Sequence, residues 1–223
     1  MDVYTTEDEQ VEAIKKWWKE NWLSLVGGVL IGIGILFGGK YWIDTKNYHA
    51  AAASMEYEAM VQSMAQNKTL EAETRAASLL GQYADTPYAA FAALSMAKIK
   101  TEADDLVAAK SHLRWVLDNS GQEELTQEAL IRLARIYLAE NNYDDALAQL
   151  KLVKSDKHKI VIEELKGDIY VAKGETENAR TAYSMALAEM DLSADNTSSR
   201  LRNFLQMKID DLGGSPIPQG EPG

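Results

Sequence analysis

Catalysis in this chain would have to come from three histidines and from carboxylates, because there is no cysteine. His49, His112 and His158 are too far apart in sequence for any two to share a helix face one turn apart, and no His-Glu-x-x-His or comparable metal spacing occurs. Without thiols, a Cys nucleophile, a thiolate metal site and a disulfide are all excluded. The carboxylate pairs Asp104-Asp105, Glu123-Glu124 and Asp144-Asp145 are adjacent in sequence. Adjacent residues point to different faces of a helix, so these pairs read as turns and first turns, where negative charge favours the helix dipole. Gly32-x-Gly34 resembles part of a phosphate-binding loop but lies inside an uncharged apolar run. The residues therefore point to no enzyme, no metal and no cofactor.

The elements that would have to position any site are helices. Ala, Leu, Glu, Lys, Gln and Met dominate, and three of the four prolines (Pro216, Pro218, Pro222) fall in the last eight residues. Valine and isoleucine form no alternating runs, so an all-α fold is expected. Net charge is -11. Residues 1–43 carry four lysines and six acids, which leaves the remainder near -9. Such a surface repels phosphate and argues against nucleic acid; the expected partners are proteins, with a basic patch to complement that charge.

Leu23 to Gly39 is a run of 17 residues whose only polar side chain is Ser24. Trp17, Trp18 and Trp22 precede it, and Tyr41 and Trp42 follow. Amphipathic rings at both ends of an uncharged stretch read as interfacial belts around a membrane span. The expected transmembrane helix covers 23–43, with Lys40 at the interface. The run is longer than a signal-peptide core, and Lys40-Tyr41-Trp42 stands where a cleavage site would be, so the anchor is read as uncleaved. Lys15, Lys16 and Lys19 before the span against Lys40 and Lys46 after it lean toward a cytoplasmic N-terminus. Residues 1–22 form the expected cytoplasmic segment, with Val11, Ile14, Trp18 and Trp22 on one face of a short amphipathic helix. Gly28, Gly32 and Gly39 share one stripe of the span, and Gly27, Gly34 and Gly38 another. Small residues in such register let a second membrane helix approach.

From Asp44 the helical period continues to about Asn67, and a further helix is expected from Thr69 to Tyr83. Thr86-Pro87 marks the next start, with Thr86 at the N-cap and Pro87 first in the helix. Two later segments then align without gaps. Ala134, Tyr137, Ala146 and Leu150 have the same spacing as Gly167, Tyr170, Ala179 and Tyr183, offset by 33 residues. Ala97, Ala109 and Leu113 repeat it, with Lys100 in place of the tyrosine. Self-similarity at this period means stacked helical pairs, in which small residues let two helices cross closely and a bulky one fills the space beside them. The repeat domain is placed at 44–212 and a disordered tail at 213–223.

These spacings resemble the tetratricopeptide repeat, although the first-position Trp is absent and Lys166 stands where Leu is expected. The whole arrangement, Ile14-Lys15-Lys16-Trp17-Trp18 before a glycine-rich span and then degenerate repeats, is similar to the YfgM family of ancillary SecYEG translocon subunits. That resemblance implies a single-pass bacterial inner-membrane protein with its N-terminus in the cytoplasm and its repeats in the periplasm. It implies as partners the SecYEG translocon, a membrane-anchored periplasmic chaperone like PpiD, and emerging client polypeptides. A regulatory scaffold for a signalling protein is the rival reading. By analogy with tetratricopeptide domains, a concave protein-binding groove would be lined by Phe91, Leu94 and Lys98, by Ile131, Arg135 and Leu138, and by Glu164, Asp168 and Val171. The competing expectation is that terminal helices of the chain itself fill that groove.

Overall fold

A computed structural model describes residues 7–192 and 199–213. Among these the regular structure is helical: α1 (Glu7–Ala65), α2 (Thr69–Gln82), α3 (Pro87–Glu102), α4 (Leu106–Asn119), α5 (Glu123–Ala139), α6 (Tyr143–Leu152), α7 (Lys159–Lys173), α8 (Thr176–Leu192) and α9 (Ser199–Asp211), with a 3-10 turn at Asp156–His158. The chain divides into two units, one up to Ala52 and one from Ala53 onward. Most of the expected tail, from residue 214, lies outside the described residues.

The first unit is helical from Glu7. Its large apolar side chains face outward: Leu36 and Phe37 are 73% and 72% exposed. In water that surface is prohibitive, since burial of such a side chain is worth about 1.5–3 kcal/mol. This is the one helix among the described residues long and apolar enough to cross a membrane.

The second unit is a stack of helical pairs, and its repeats are defined by one backbone device used four times. Asn67, Asp104, Asn141 and Gly174 all adopt a left-handed conformation, with φ of 57°, 61°, 61° and 78°. At each, the following amide reaches back five residues: Lys68 to Ser63 O, Asp105 to Lys100 O, Asn142 to Tyr137 O and Glu175 to Tyr170 O, at 2.8–2.9 Å. The left-handed residue itself donates three residues back, at 2.9–3.1 Å. This closure satisfies helix-end carbonyls and turns the chain sharply. The next helix starts from Lys68, Asp105, Asn142 and Glu175, whose carbonyls accept from Ala72, Ala109, Ala146 and Ala179 at 3.0 Å each.

These equivalences reveal four helical pairs where the sequence spacing showed three. The extra pair is the end of α1 with α2. In the positions of Ala97, Ala134 and Gly167 it has Met60, and in those of Leu113, Leu150 and Tyr183 it has Ala76. All eight are buried. Bulk is thus traded across the crossing: Met with Ala, Ala with Leu twice, Gly with Tyr. The first pair escaped the sequence reading because its large and small partners are exchanged between helices.

The last pair shows how tight the trade is. A Cβ built on Gly167 would collide with three carbons of the Tyr183 ring. Tyr183 cannot swing away, since its hydroxyl donates to Asp168 Oδ1 at 2.7 Å and its side chain is 2% exposed. Burial and the neighbouring Asp168 carboxylate raise its pKa and keep the phenol protonated. Ion pairs join each pair to the next, as Glu73–Lys100 (2.6 Å), Lys110–Glu140 (2.6 Å) and Asp144–Lys173 (3.1 Å). Thr86 occupies the N-cap of α3 ahead of Pro87, but its hydroxyl donates to Tyr83 O at 2.7 Å instead of capping the helix.

Gly167→Ala should destabilise the second unit. The gain in helix propensity is about 1 kcal/mol, and overpacking against a fixed ring costs about 1–3 kcal/mol. In a Tyr183→Leu background the sign should reverse, because Ala with Leu is the combination already present twice in the stack. Urea unfolding of the four members of this mutant cycle measures it; equal effects of Gly167→Ala in both backgrounds would refute the packing account.

Candidate protein-binding groove

Helices α3, α5 and α7 are the first helices of successive pairs and lie side by side. The nine residues expected to line their shared face fall into several different environments. Leu94 and Ile131 are buried in two separate core clusters, and Leu138 packs against the second of these. Phe91 joins a ring cluster with Tyr57 and Tyr88, at 6.0 Å and 6.4 Å between centroids. Tyr57 comes from the end of α1, so one terminal helix covers that end of the face.

The opposite end is also covered by the chain itself. Lys208 of α9 reaches Glu164 Oε1 at 3.0 Å and Asp168 Oδ1 at 2.7 Å. Its ammonium also lies 4.5 Å from the centroid of Phe204 and 5.3 Å from that of Tyr183. Two carboxylates one helical turn apart and two rings hold one cation, while Leu205 beside it is fully buried. Val171, one turn beyond Asp168, stays 45% exposed.

Between these covered ends, α3, α4 and α5 leave an open pocket of about 380 Å³. Ala97, Leu106, Leu113, Ile136 and Ala139 give it apolar walls; its edge carries the cations Lys98, Arg132 and Arg135 and the carboxylates Glu102 and Glu128. Arg132 is committed, with Nε donating to Glu128 Oε1 at 2.6 Å and Nη1 to Leu94 O at 3.1 Å. Lys98 lies 3.8 Å from Glu102, both well exposed, a pairing of little worth. Arg135 is exposed and has no ion-pair or hydrogen-bond partner among the described residues. Of the nine expected residues, the pocket gathers Lys98 and Arg135. Ile131 and Leu138 turn toward α7, whereas Arg132, Arg135, Ile136 and Ala139 turn toward α3. The i, i+3, i+4, i+7 step from Arg132 was the signal in the sequence that separates these faces.

The histidines lie apart from this pocket. No group of histidine and carboxylate side chains among the described residues could hold a metal ion. His112, on α4, is half-buried; desolvation, then the charge of Lys100, lower its pKa, with Glu73 and Asp105 opposing.

The chain matches, over residues 15–214, the family described as a tetratricopeptide repeat-like domain. Among curated proteins it is similar to the ancillary SecYEG translocon subunit of Haemophilus influenzae, at 32% identity over 82% of this chain and 90% of that one. It is similar to the subunit of the same name in Escherichia coli, at 30% identity over 95% and 99% of the two chains, and to that of Neisseria gonorrhoeae, at 30% over 95% and 100%. No solved structure matches significantly. The chain belongs to this family of tetratricopeptide repeat-like ancillary translocon subunits.

A histidine with a folded pKa below its ordinary value binds its proton more readily in the unfolded chain. Its stabilising effect is present above the ordinary histidine value and is lost as pH falls through it. Thermal unfolding between pH 8 and pH 5.5 should therefore show a larger loss for the wild type than for His112→Gln; parallel profiles would assign the acid sensitivity elsewhere.

Proposed function

We propose that the chain is a non-catalytic, single-pass inner-membrane protein whose repeat domain binds protein segments beside the Sec translocon. The observation that carries this reading is the open pocket between α3 and α5: apolar walls with a free guanidinium at the edge suit a polypeptide. The curated relatives are named as ancillary SecYEG translocon subunits, which supports a place beside the translocon. In this reading 1–22 is the cytoplasmic segment, 23–43 the membrane helix and 44–212 the periplasmic repeat domain. The domain links the translocon to a membrane-anchored periplasmic chaperone and to emerging clients.

The membrane helix supplies the other contact. An added Cβ at Gly28, Gly32 or Gly39 meets nothing within 4 Å, so that stripe is free to receive a helix of the channel. Tethering then raises the local concentration of the repeat domain at the exit of the channel, and weak segment binding suffices.

Mild solubilisation of native membranes and capture of the tagged full-length chain should recover translocon subunits together with a membrane chaperone. Changing Gly28, Gly32 and Gly39 together to leucine should reduce that recovery several-fold without altering the repeat domain. Recovery of an unrelated signalling protein alone would favour a regulatory scaffold and overturn the translocon reading.

A further inference from the structure

The four left-handed turns fix a common register, and that register places one position of each first helix at the edge of the groove: Val61, Lys98, Arg135 and Asp168. Each lies six residues before its turn residue. Two adjacent clefts are equivalent in this register. The pocket at Arg135 has Thr101, Leu106, Ile136 and Ala139 where a smaller one, of about 230 Å³, has Met64, Thr69, Ile99 and Glu102 beside Lys98. The two clefts thus share a cation position, although the smaller has Thr69 and the Glu102 carboxylate where the larger has Leu106 and Ala139. At the fourth position the sign changes, and Asp168 is already neutralised by Lys208.

We propose that the open stretch of the groove receives a segment of a partner protein in which an apolar side chain is flanked by acidic ones, with Arg135 as the principal anchor and Lys98 as the second. The proposal deepens the protein-binding reading above and rests on it. Charge complementarity selects the acidic partner. Of the two carboxylates that line the pocket, Glu128 is held by Arg132 at 2.6 Å and Glu102 has only a long, exposed contact with Lys98, which leaves Arg135 uncompensated. The net charge of -11 does not cancel this, because exposed charges beyond about 8 Å are screened at physiological salt. Size selects the anchor: 380 Å³ is at the small end for a ligand pocket and takes one or two side chains rather than a whole helix. Neighbouring packed helices lie about 8–10 Å apart, so the two acidic groups belong about three residues apart on an extended segment.

The test uses the full-length chain in nanodiscs and fluorescein-labelled decapeptides blocked at both ends. One carries a central leucine with glutamates three residues apart around it; the others replace the glutamates by glutamine or by lysine, or the leucine by alanine. The wild type should bind the leucine–glutamate probe best. Arg135→Glu should weaken that probe about tenfold, since attraction is lost and repulsion gained, and should strengthen the lysine probe. This gain keeps the result distinct from a folding defect. Ala139→Phe, which fills the pocket, should weaken every probe. Equal binding of all four probes or an unchanged preference in Arg135→Glu would each overturn the proposal. Absence of any binding would also overturn it, while capture of translocon subunits by the same chain would leave the broader reading standing.

Discussion

The crossing of the two helices in each pair is the constraint on which the repeat domain depends. Two helices can approach closely only if the side chain of one makes room for that of the other, because protein interiors are packed without spare volume. Here the room is shared out differently in each pair, from Met60 with Ala76 to Gly167 with Tyr183, while the left-handed turn and its backbone hydrogen bonds recur unchanged. Everything in the second unit follows from it. The crossing sets the side of each first helix that faces its neighbour, and so the side left for a ligand.

Much of this was legible in the sequence. The spacing of Ala134, Tyr137, Ala146 and Leu150 and its copy from Gly167 identified stacked pairs because those positions obey one size rule. Asp144-Asp145 and Glu123-Glu124 were recognisable as first-turn residues, and they lie in the first turns of α6 and α5. The pair at the end of α1 was hidden because a size rule read helix by helix fails when bulk moves from one helix to the other. The left-handed turns were hidden for a related reason: three of the four use Asn or Asp, and only Gly174 carries the residue usually associated with that conformation.

The groove was legible in outline and not in detail. Fixed offsets named Leu94 and Ile131, but a helix packed on two neighbours buries those positions, and the open face starts one residue later. Sequence could not show that Lys208, some 40 residues from its partners, would satisfy Glu164 and Asp168. That contact depends on where a terminal helix comes to rest, and no local pattern encodes it. The result is a face covered by Tyr57 over Phe91 near one end and by α9 at the other, and open at the clefts beside Lys98 and Arg135.

The reciprocal sizing of Met60 with Ala76, Ala97 with Leu113, Ala134 with Leu150 and Gly167 with Tyr183 bears on how such a stack changes over generations. Each pair carries its own compensation, so genetic exchange at the loops between pairs moves a complete unit and preserves its fit. Exchange at the turns inside a pair would unite Ala134 with Tyr183, or Gly167 with Leu150, giving a clash in one product and a void in the other. The helical pair is therefore the smallest segment that carries its own size compensation, bounded by the loops at residues 83–86, 120–122 and 153–158.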